Sequence, residues 1–253
     1  MRKVAAALAT VACIAVTSTV PAHASTTSAI PPGTITVSAA SSLTDVFPVI
    51  AASFRRAYPQ VAVRFSFGSS AALIEQVRAG APVDVVATAS EATMQAAERA
   101  GLVSRPLRFA RNTMAIAMPP GNPAGVDSLA DLSHVSVAVC EISVPCGAAA
   151  SALFKRNSLI VKPTTKELDV RAVMGRVLAD QVDAGVVYAT DVRAAGRKVT
   201  SLSIPSQLNV STTYPIATVA SSSQPAAARA FSEFVRYNPT AQAILRNAGF
   251  GGP

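Results

Sequence analysis

The sequence predicts an α/β fold in which helices cover a parallel or mixed β-sheet. Short runs of β-branched and apolar residues alternate along the chain with segments whose apolar residues recur at helical spacing. The alternation forms two series, which are separated by the proline-rich turn at residues 119–123.

The first series contains three strand–helix units. The predicted strands are residues 34–39, 61–67 and 83–87, which are rich in β-branched or aromatic residues. The apolar face of the helix after each strand consists of Leu43, Val46, Phe47, Ile50, Ala51 and Phe54 in the first unit, Leu73, Ile74 and Val77 in the second, and Met94, Ala97 and Leu102 in the third.

The second series begins after the strand predicted at residues 113–118 and the turn that follows it. Further strands are predicted at 135–139 and 185–188, and between them a helix at about 147–156 and another marked by Val170, Val173, Met174, Val177 and Leu178. Beyond the polar turn at 206–209, residues 214–220 form a returning strand. Pro225 then opens a helix with Phe231, Phe234 and Val235 on one face.

The N-terminus has the pattern of a secretory signal. The basic residues Arg2 and Lys3 precede an apolar run over 4–20, and AHA at 22–24 has the small-x-small form of a cleavage site. We therefore expect residues 1–24 to be a signal peptide, residues 25–32 to be a flexible arm, and the protein to act in the periplasm or on the exterior of the cell envelope. An alternative is lipidation at Cys13, although Thr10 departs from the usual pattern of such a site.

Charge and composition narrow the class of partner. The chain has 22 lysines and arginines against 14 aspartates and glutamates, and its net charge falls from +8 to +6 when Arg2 and Lys3 leave with the signal. The basic residues are dispersed and aromatic residues are few, so we expect no nucleic-acid groove. No second apolar run is long enough to span a bilayer, and we expect a soluble monomer.

Two cysteines remain after the signal, Cys140 and Cys146. Six positions apart in an exported chain, they predict a disulfide rather than two free thiols. A metal site is not expected, because the one remaining histidine, His134, has the sequence context of a surface residue entering a strand.

Three widely spaced segments place small or hydroxyl residues where a helix is about to begin. They are AASSL at 39–43, FGSSAAL at 67–73 and VPCG at 144–147. Because a helix N-terminus carries unpaired N–H groups and a partial positive charge, several such starts can hold an anion without lysine or arginine. This pattern predicts capture of a small oxyanion rather than catalysis.

The same segments carry a family resemblance. TVSAASSL at 36–43, FGSS at 67–70 with AGAPVDV at 79–85, DVR at 169–171, GVVY at 185–188 and NAGF at 247–250 stand in the order and at the separations found in periplasmic molybdate-binding proteins that feed ABC transporters. The chain resembles that family from about residue 34 to 250. The resemblance implies the two-lobe periplasmic binding protein fold (type II), with the ligand cleft between the lobes.

The resemblance also implies lobe bounds and ligand contacts. Lobe I is expected to comprise residues 33–112 with 217–253, and lobe II residues 113–216. The ligand, molybdate or tungstate, would be held by Ser42, Ser70, Cys146, Val170 and Tyr188, as contacts to the oxyanion and not as direct metal ligands. Its partner would be the membrane permease of an ABC transporter, and it would need no cofactor and be no enzyme. Members of that family frequently have alanine where this chain has Cys146. Because both residues have a backbone N–H, the exchange keeps the expected donor.

Other roles for these residues remain open from the sequence. Ser41, Ser42, Ser69 and Ser70 are also ordinary N-cap residues, and Tyr188 is also a plausible half-buried strand end. Asp84 and Asp169 are expected to cap or brace loops, and Arg171 to brace a lobe. The alternative functions are binding of another oxyanion, such as sulfate, in the same fold, and a secreted serine hydrolase; the second lacks a Gly-x-Ser-x-Gly elbow and has a single poorly placed histidine.

Overall fold

The computed structural model describes residues 30–253. The predicted signal peptide, Cys13 and most of the predicted arm lie outside the described residues. The strands are β1 Gly33–Ala40, β2 Val61–Gly68, β3 Val85–Ala87, β4 Val103–Met118, β5 Val137–Cys140, β6 Thr165–Glu167, β7 Ala184–Tyr188, β8 Thr200–Ser203 and β9 Ser211–Val219. The helices are α1 Phe47–Ala57, α2 Ser70–Arg78, α3 Glu91–Arg99, α4 Pro145–Arg156, α5 Val170–Leu178, α6 Ala189–Ala195, α7 Pro225–Tyr237 and α8 Pro239–Asn247. None of the helices in residues 30–253 is both long and apolar enough to cross a membrane.

One mixed sheet runs through the molecule in the order β2-β1-β3-β9-β4-β7-β5-β6, with β8 paired to β4. The pairs β1–β2, β1–β3, β5–β6 and β5–β7 are parallel, whereas β9 and β4 are antiparallel to their neighbours. Helices pack on the sheet throughout, so the predicted α/β fold is confirmed.

The two long strands β4 and β9 connect two halves of this sheet. The N-terminal part of β4 pairs with β9 from Val103↔Val219 to Thr113↔Ser211, in the half that contains β1, β2 and β3. From Met114 onward β4 pairs instead with β7 and β8, in the half that contains β5 and β6. We call these the first half and the second half. The lobe bounds predicted from the resemblance, 33–112 with 217–253 and 113–216, remain a prediction.

The core of the first half is aromatic where α1 and α7 meet the sheet. The rings of Phe54 and Phe231 lie 5.2 Å apart edge to face, and those of Phe47 and Phe109 lie 5.7 Å apart. Such pairs add about 0.5–1.5 kcal/mol each beyond the apolar area that they bury. Because Phe231 lies on the C-terminal helix α7, the first half is built from both ends of the described chain.

The structure differs from the sequence prediction at several elements. The sequence patterns do not predict the N-terminal part of β4, residues 103–112, as a strand. They do not predict β6, β8, α6 or α8 either. The run before Thr113 contains Pro106, and the pairing with β9 shifts register between Ser104 and Leu107 and again between Arg108 and Ala110, which breaks the alternation that identifies a strand.

Two predicted helices have different bounds. The first helix, whose apolar pattern begins at Leu43, starts only at Phe47, after a 3-10 turn over Ser41–Leu43, with Pro48 in its first turn. The third ends at Arg99, and Leu102 lies beyond it, because Gly101 has a φ of 69° and reverses the chain.

Candidate functional site

A small cavity lies where five helical segments begin. The 3-10 turn at Ser41 and the helices α2, α4, α5 and α6 all start at its wall, and the cavity between them has a volume of about 10 Å³. The lining residues are Ala40, Ser41, Ser42, Gly68, Ser69, Ser70, Ala89, Val144, Pro145, Cys146, Leu168, Asp169, Val170 and Tyr188. The wall is therefore built from both halves of the molecule.

The structure brings together all five residues that the resemblance predicts as ligand contacts. Ser42, Ser70, Cys146, Val170 and Tyr188 line this one cavity, and each is between 1% and 8% exposed. The first two come from the first half of the sheet and the last three from the second half. Their role as ligand contacts remains a prediction.

Ser42 belongs to a buried chain of hydrogen bonds behind the cavity. Its Oγ lies 2.9 Å from the hydroxyl of Tyr214, which is fully buried on β9. The Tyr214 hydroxyl also lies 3.4 Å from Asn112 Nδ2, and the same amide nitrogen donates to Thr190 Oγ1 at 2.7 Å. Ser42 is thus tied to three residues that sequence reasoning did not select, and burial raises the pKa of Tyr214 above its usual value.

The second hydroxyl segment meets the cavity at the start of α2. Ser70 Oγ accepts a hydrogen bond from the N–H of Ala89 at 3.1 Å. Ser69 is the N-cap residue of α2, but its side chain makes no capping hydrogen bond, and its buried Oγ has no partner within residues 30–253. Neither serine caps the helix through its side chain, so the capping interpretation of these two residues is wrong. Ser41 and Ser42 also make no side-chain capping hydrogen bond at the 3-10 turn.

The start of α4 is held against the cavity by the predicted disulfide, which is confirmed. Cys140 and Cys146 are bonded, with their Cα atoms 5.7 Å apart. Pro145 occupies the first turn and has no N–H, so the amides of Cys146 and Gly147 are the first that the helix offers. A Cβ atom at Gly147 would collide with the carbonyl oxygen of Glu141, so the disulfide loop packs directly on the helix backbone.

The start of α5 carries two connections. Asp169 Oδ1 accepts from the N–H groups of Arg171 at 2.8 Å and Ala172 at 3.1 Å, which confirms its predicted capping role and leaves the Val170 amide at the cavity wall. Arg171 donates through both Nη atoms to Asp45, at 3.0 and 3.1 Å. Because Asp45 lies in the first half, Arg171 joins the two halves rather than bracing one.

Asp84 is the loop brace that the sequence predicts, since it accepts from Thr36 N–H and from Ser222 Oγ.

Tyr188 ends β7 and precedes α6. Its hydroxyl is buried and has no hydrogen-bond partner in the described part of the chain, and burial raises its pKa well above the usual value. Its ring packs edge to face on Tyr214, with centroids 6.0 Å apart. Its backbone N–H donates to the carboxyl group of Asp191 at 3.0 Å. That carboxyl is buried, and burial raises its pKa from 3.8 to about 7.

The electrostatics of the wall favour a small anion. Among residues 30–253, Asp169 is the one charged residue that lines the cavity, and the N–H groups of α5 occupy its Oδ1. The helix starts direct backbone N–H groups and the positive ends of helix dipoles toward the same space. The hydroxyl-bearing residues of the wall, Ser41, Ser42, Ser69, Ser70 and Tyr188, add neutral donors. No group of three or more His, Cys, Asp or Glu that could hold a metal ion occurs within the described residues.

Together, a sheet divided between two halves, a pair of connecting strands and a donor-lined cavity shared by both halves define a two-lobed solute-binding protein. The chain belongs to the family of bacterial extracellular solute-binding proteins, which residues 35–251 match. It is 38% identical over 222 residues to the molybdate-binding protein ModA of Mycobacterium tuberculosis, and the match covers 87% of this chain and 85% of that protein.

Two solved structures share the fold at lower identity. The periplasmic molybdate-binding protein of Azotobacter vinelandii superposes with a TM-score of 0.76 at 20% identity, over 87% of this chain and 99% of that chain. The sulfate-binding protein SubI of Mycobacterium tuberculosis superposes with a TM-score of 0.73 at 22% identity, over 86% of each chain. The predicted two-lobe fold is therefore confirmed.

Proposed function

We propose that this protein captures molybdate and tungstate outside the cytoplasm and delivers them to the membrane permease of an ABC transporter. The observation that carries this proposal is the convergence of five helical starts and five hydroxyl-bearing residues on one small cavity with almost no charge in its wall. The ligand contacts would be the hydroxyls of Ser42, Ser70 and Tyr188 and the amides of Cys146 and Val170.

The donor set suits an unprotonated tetrahedral dianion. Such an ion has only acceptor oxygens, so a cavity of N–H and O–H groups satisfies it without a counter-charge. Hydrogen bonds to a charged group contribute about 1.5–3 kcal/mol each. Five of them, less the costs of desolvation and association, correspond to about micromolar to nanomolar affinity.

The relatives support the choice of ion. Proteins named for molybdate binding occur both among the sequence relatives, at 38% identity, and among the solved structures. Tungstate belongs to the same proposal because it has nearly the size and shape of molybdate. The family membership supports export to the periplasm or the cell-envelope exterior and a permease partner. In the same proposal the protein is a monomer that uses no cofactor, catalyses no reaction and binds no nucleic acid.

The second candidate is sulfate, which a protein of the same fold binds. Sulfate is also an unprotonated tetrahedral dianion but is smaller, so donors that close around molybdate would reach sulfate through longer, weaker hydrogen bonds. A serine hydrolase has less support. His134, the one histidine in the described residues, is exposed at the end of a 3-10 turn, and no hydroxyl of the cavity is hydrogen-bonded to it.

The test is a thermal-unfolding panel with molybdate, tungstate, chromate, sulfate and phosphate at one concentration. A ligand that binds only the folded state stabilises it by about 2.7 kcal/mol at a hundredfold excess over Kd. We expect large increases in Tm with both molybdate and tungstate and small ones with sulfate and phosphate. Equal shifts with sulfate and molybdate would contradict the selectivity, and no shift with any oxyanion would contradict the proposed function.

A further inference from the structure

The disulfide fixes the start of α4 in a place where a neighbouring helix start has a side-chain cap. Asp169 caps α5 by accepting from two backbone N–H groups. The N-cap residue of α4 is Val144, which has no side-chain oxygen and makes no side-chain cap. The start of α4 is held by the covalent bond from Cys146 to Cys140, the last residue of β5. This anchor is uncharged, so it places no negative charge beside an anion.

Two backbone hydrogen bonds accompany the disulfide in the loop that it closes. The N–H of Glu141 donates to the carbonyl of Glu167 on β6 at 2.8 Å, and the N–H of Val144 donates to the carbonyl of Glu141 at 3.1 Å. Ile142, at the tip, is 65% exposed. Of these two hydrogen bonds, the first joins the loop to the sheet and the second lies within the loop. The disulfide is therefore a main restraint on the distance between the end of β5 and the first turn of α4.

The same disulfide lies at the wall of the cavity. Cys146 lines the cavity, and its amide is the first N–H that α4 offers after Pro145. Because a hydrogen bond weakens steeply with distance and angle, a displacement of this turn would weaken the bond from the amide to an anion. Cys140 and Cys146 are 3% and 4% exposed. A dissolved reductant therefore reaches the sulfur atoms only after the structure around them opens.

We propose that this disulfide is coupled to the oxyanion site: the bond positions the Cys146 amide on the anion, so that reduction weakens binding and a bound anion protects the bond from reduction. Cys140 is then a positioning residue, since it acts through Cys146. This inference rests on the proposed function and concerns the regulation of the same site. The two effects have the same free energy, because coupling between two equilibria of one protein is reciprocal.

The reduction step is balanced with a phosphine as the reductant. The phosphorus atom attacks one sulfur and the S–S bond breaks, so the other sulfur leaves as a thiolate and takes up a proton. Water then displaces the first sulfur from phosphorus, which yields the phosphine oxide and the second thiol. Two electrons pass from phosphorus to the disulfide, and the start of α4 loses its covalent anchor.

The first experiment measures the calorimetric Kd for molybdate in the wild type, in the double variant Cys140→Ala/Cys146→Ala and in Val103→Ala. The double variant removes the disulfide and keeps the backbone amide at position 146. Val103→Ala is the control for lost stability, because Val103 is buried in a separate apolar cluster at the start of β4. We expect Kd to rise about tenfold in the double variant, which corresponds to about one hydrogen bond to a charged group, and to stay unchanged in the control.

The second experiment measures the rate at which a water-soluble phosphine reduces the disulfide of the wild type, with and without molybdate at a hundredfold excess over Kd. Alkylation in denaturant followed by intact-mass analysis counts the thiols. At that excess about one molecule in a hundred is unliganded, so we expect the rate to fall at least tenfold. Oxidised glutathione in the same solutions controls for a direct effect of molybdate on the phosphine.

A wild-type Kd in the double variant would overturn the inference. An equal rise in Kd in Val103→Ala would also overturn it, because lost stability alone would then explain the weaker binding. A reduction rate that molybdate does not change would overturn the protection of the bond. If the wild type binds no molybdate, the proposed function itself fails, whereas tight wild-type binding with any of the other three results contradicts this inference alone.

Discussion

Arg171 and Asp45 form a two-point ion pair that joins the two halves of the molecule beside the cavity. Nη1 and Nη2 of the arginine lie 3.0 and 3.1 Å from the two carboxylate oxygens. The side chains are 38% and 55% exposed, so solvent screens the pair. Its energy is therefore small, but it forms only when α5 and the segment after Leu43 lie close together.

The first prediction concerns closure of the two halves. An anion held from both sides biases an equilibrium between open and closed arrangements, and the ion pair favours the closed one. Asp45→Asn should weaken molybdate binding about two- to fivefold, the range of a surface ion pair. Small-angle scattering of the apo and molybdate-bound forms should show a smaller radius of gyration with ligand, and a larger apo value in the variant.

The direction of the change in Kd distinguishes an effect on closure from an effect of net charge alone. Removing the negative charge of Asp45 would strengthen anion binding if only long-range electrostatics mattered. Glu98→Gln, which removes an exposed carboxylate from α3, is the matched control and should leave Kd nearly unchanged. Tighter binding by Asp45→Asn would contradict the role of the ion pair.

The second prediction concerns the two serines. Ser42→Ala and Ser70→Ala should each weaken molybdate binding by about 1–3 kcal/mol, because each removes a donor to a buried charged ligand. Ser66→Ala, at an exposed position on β2, should bind like the wild type. Calorimetric titration checks all three, and wild-type affinity in both target variants would show that the hydroxyls do not contact the ion.

The third prediction concerns the packing of the disulfide loop on α4. Gly147→Ala should lower both the stability and the molybdate affinity, because the new methyl group collides with the Glu141 carbonyl and forces the loop and the Cys146 amide apart. Overpacking of this kind costs about 1–3 kcal/mol. Denaturant unfolding and calorimetry measure the two effects.

Gly175→Ala is the matched control, since it lies within α5 with no atom within 4 Å of an added Cβ. It should stabilise the protein by up to about 1 kcal/mol through helix propensity and leave Kd unchanged. A Gly147→Ala variant with the stability and the molybdate affinity of the wild type would refute the packing argument.

The fourth prediction concerns Asp191, whose pKa burial raises from 3.8 to about 7. Between these values the folded protein holds a proton that the unfolded chain has released. The free energy of unfolding should therefore fall as pH rises from about 4 to about 7, by up to about 1.4 kcal/mol per pH unit, with no further contribution above that. Asp191→Asn, which retains an acceptor for the Tyr188 N–H, should remove this part of the slope.

Denaturant unfolding at several pH values across that window tests the prediction. Asp127→Asn, at an exposed position, serves as control and should keep the wild-type slope. Ionisation of Asp191 also adds a negative charge near Tyr188, so wild-type molybdate affinity should decrease as pH rises through about 7. An Asp191→Asn variant with the wild-type slope would contradict the assignment.

Local sequence patterns were sufficient for most of the fold and failed where the backbone is irregular. The strand β1 and the helices α2 and α5 follow clear periodicities and were predicted. The N-terminal part of β4 was not predicted, because Arg105 adopts a φ of 51° and the pairing with β9 shifts register twice. The helix α8 was missed although Asn238 and Pro239 form a normal helix start, with Asn238 Oδ1 accepting from Thr240 N–H.

At the site, the residues that line the cavity were predictable and those behind them were not. Ser42 and Ser70 belong to local segments that resemble a family, so the sequence alone identified them. Tyr214 is separated from Ser42 by 172 positions and appeared in the sequence only as part of a returning strand. Its contact with Ser42 depends on the register of β9, which no local pattern specifies.

The connection through β4 and β9 also determines the order in which the two halves can be completed during folding. Thr113 and Ser211 are paired neighbours, so everything between them is one uninterrupted stretch with adjacent ends. The first half instead joins its N-terminal strands to α7 and α8, and Gly251 pairs with Arg111. The strands β5 to β8 pair only with one another and with the end of β4, whereas the first half also needs helices from the far end of the described chain. The stretch between Thr113 and Ser211 can therefore reach its final packing while the other half still lacks its last two helices.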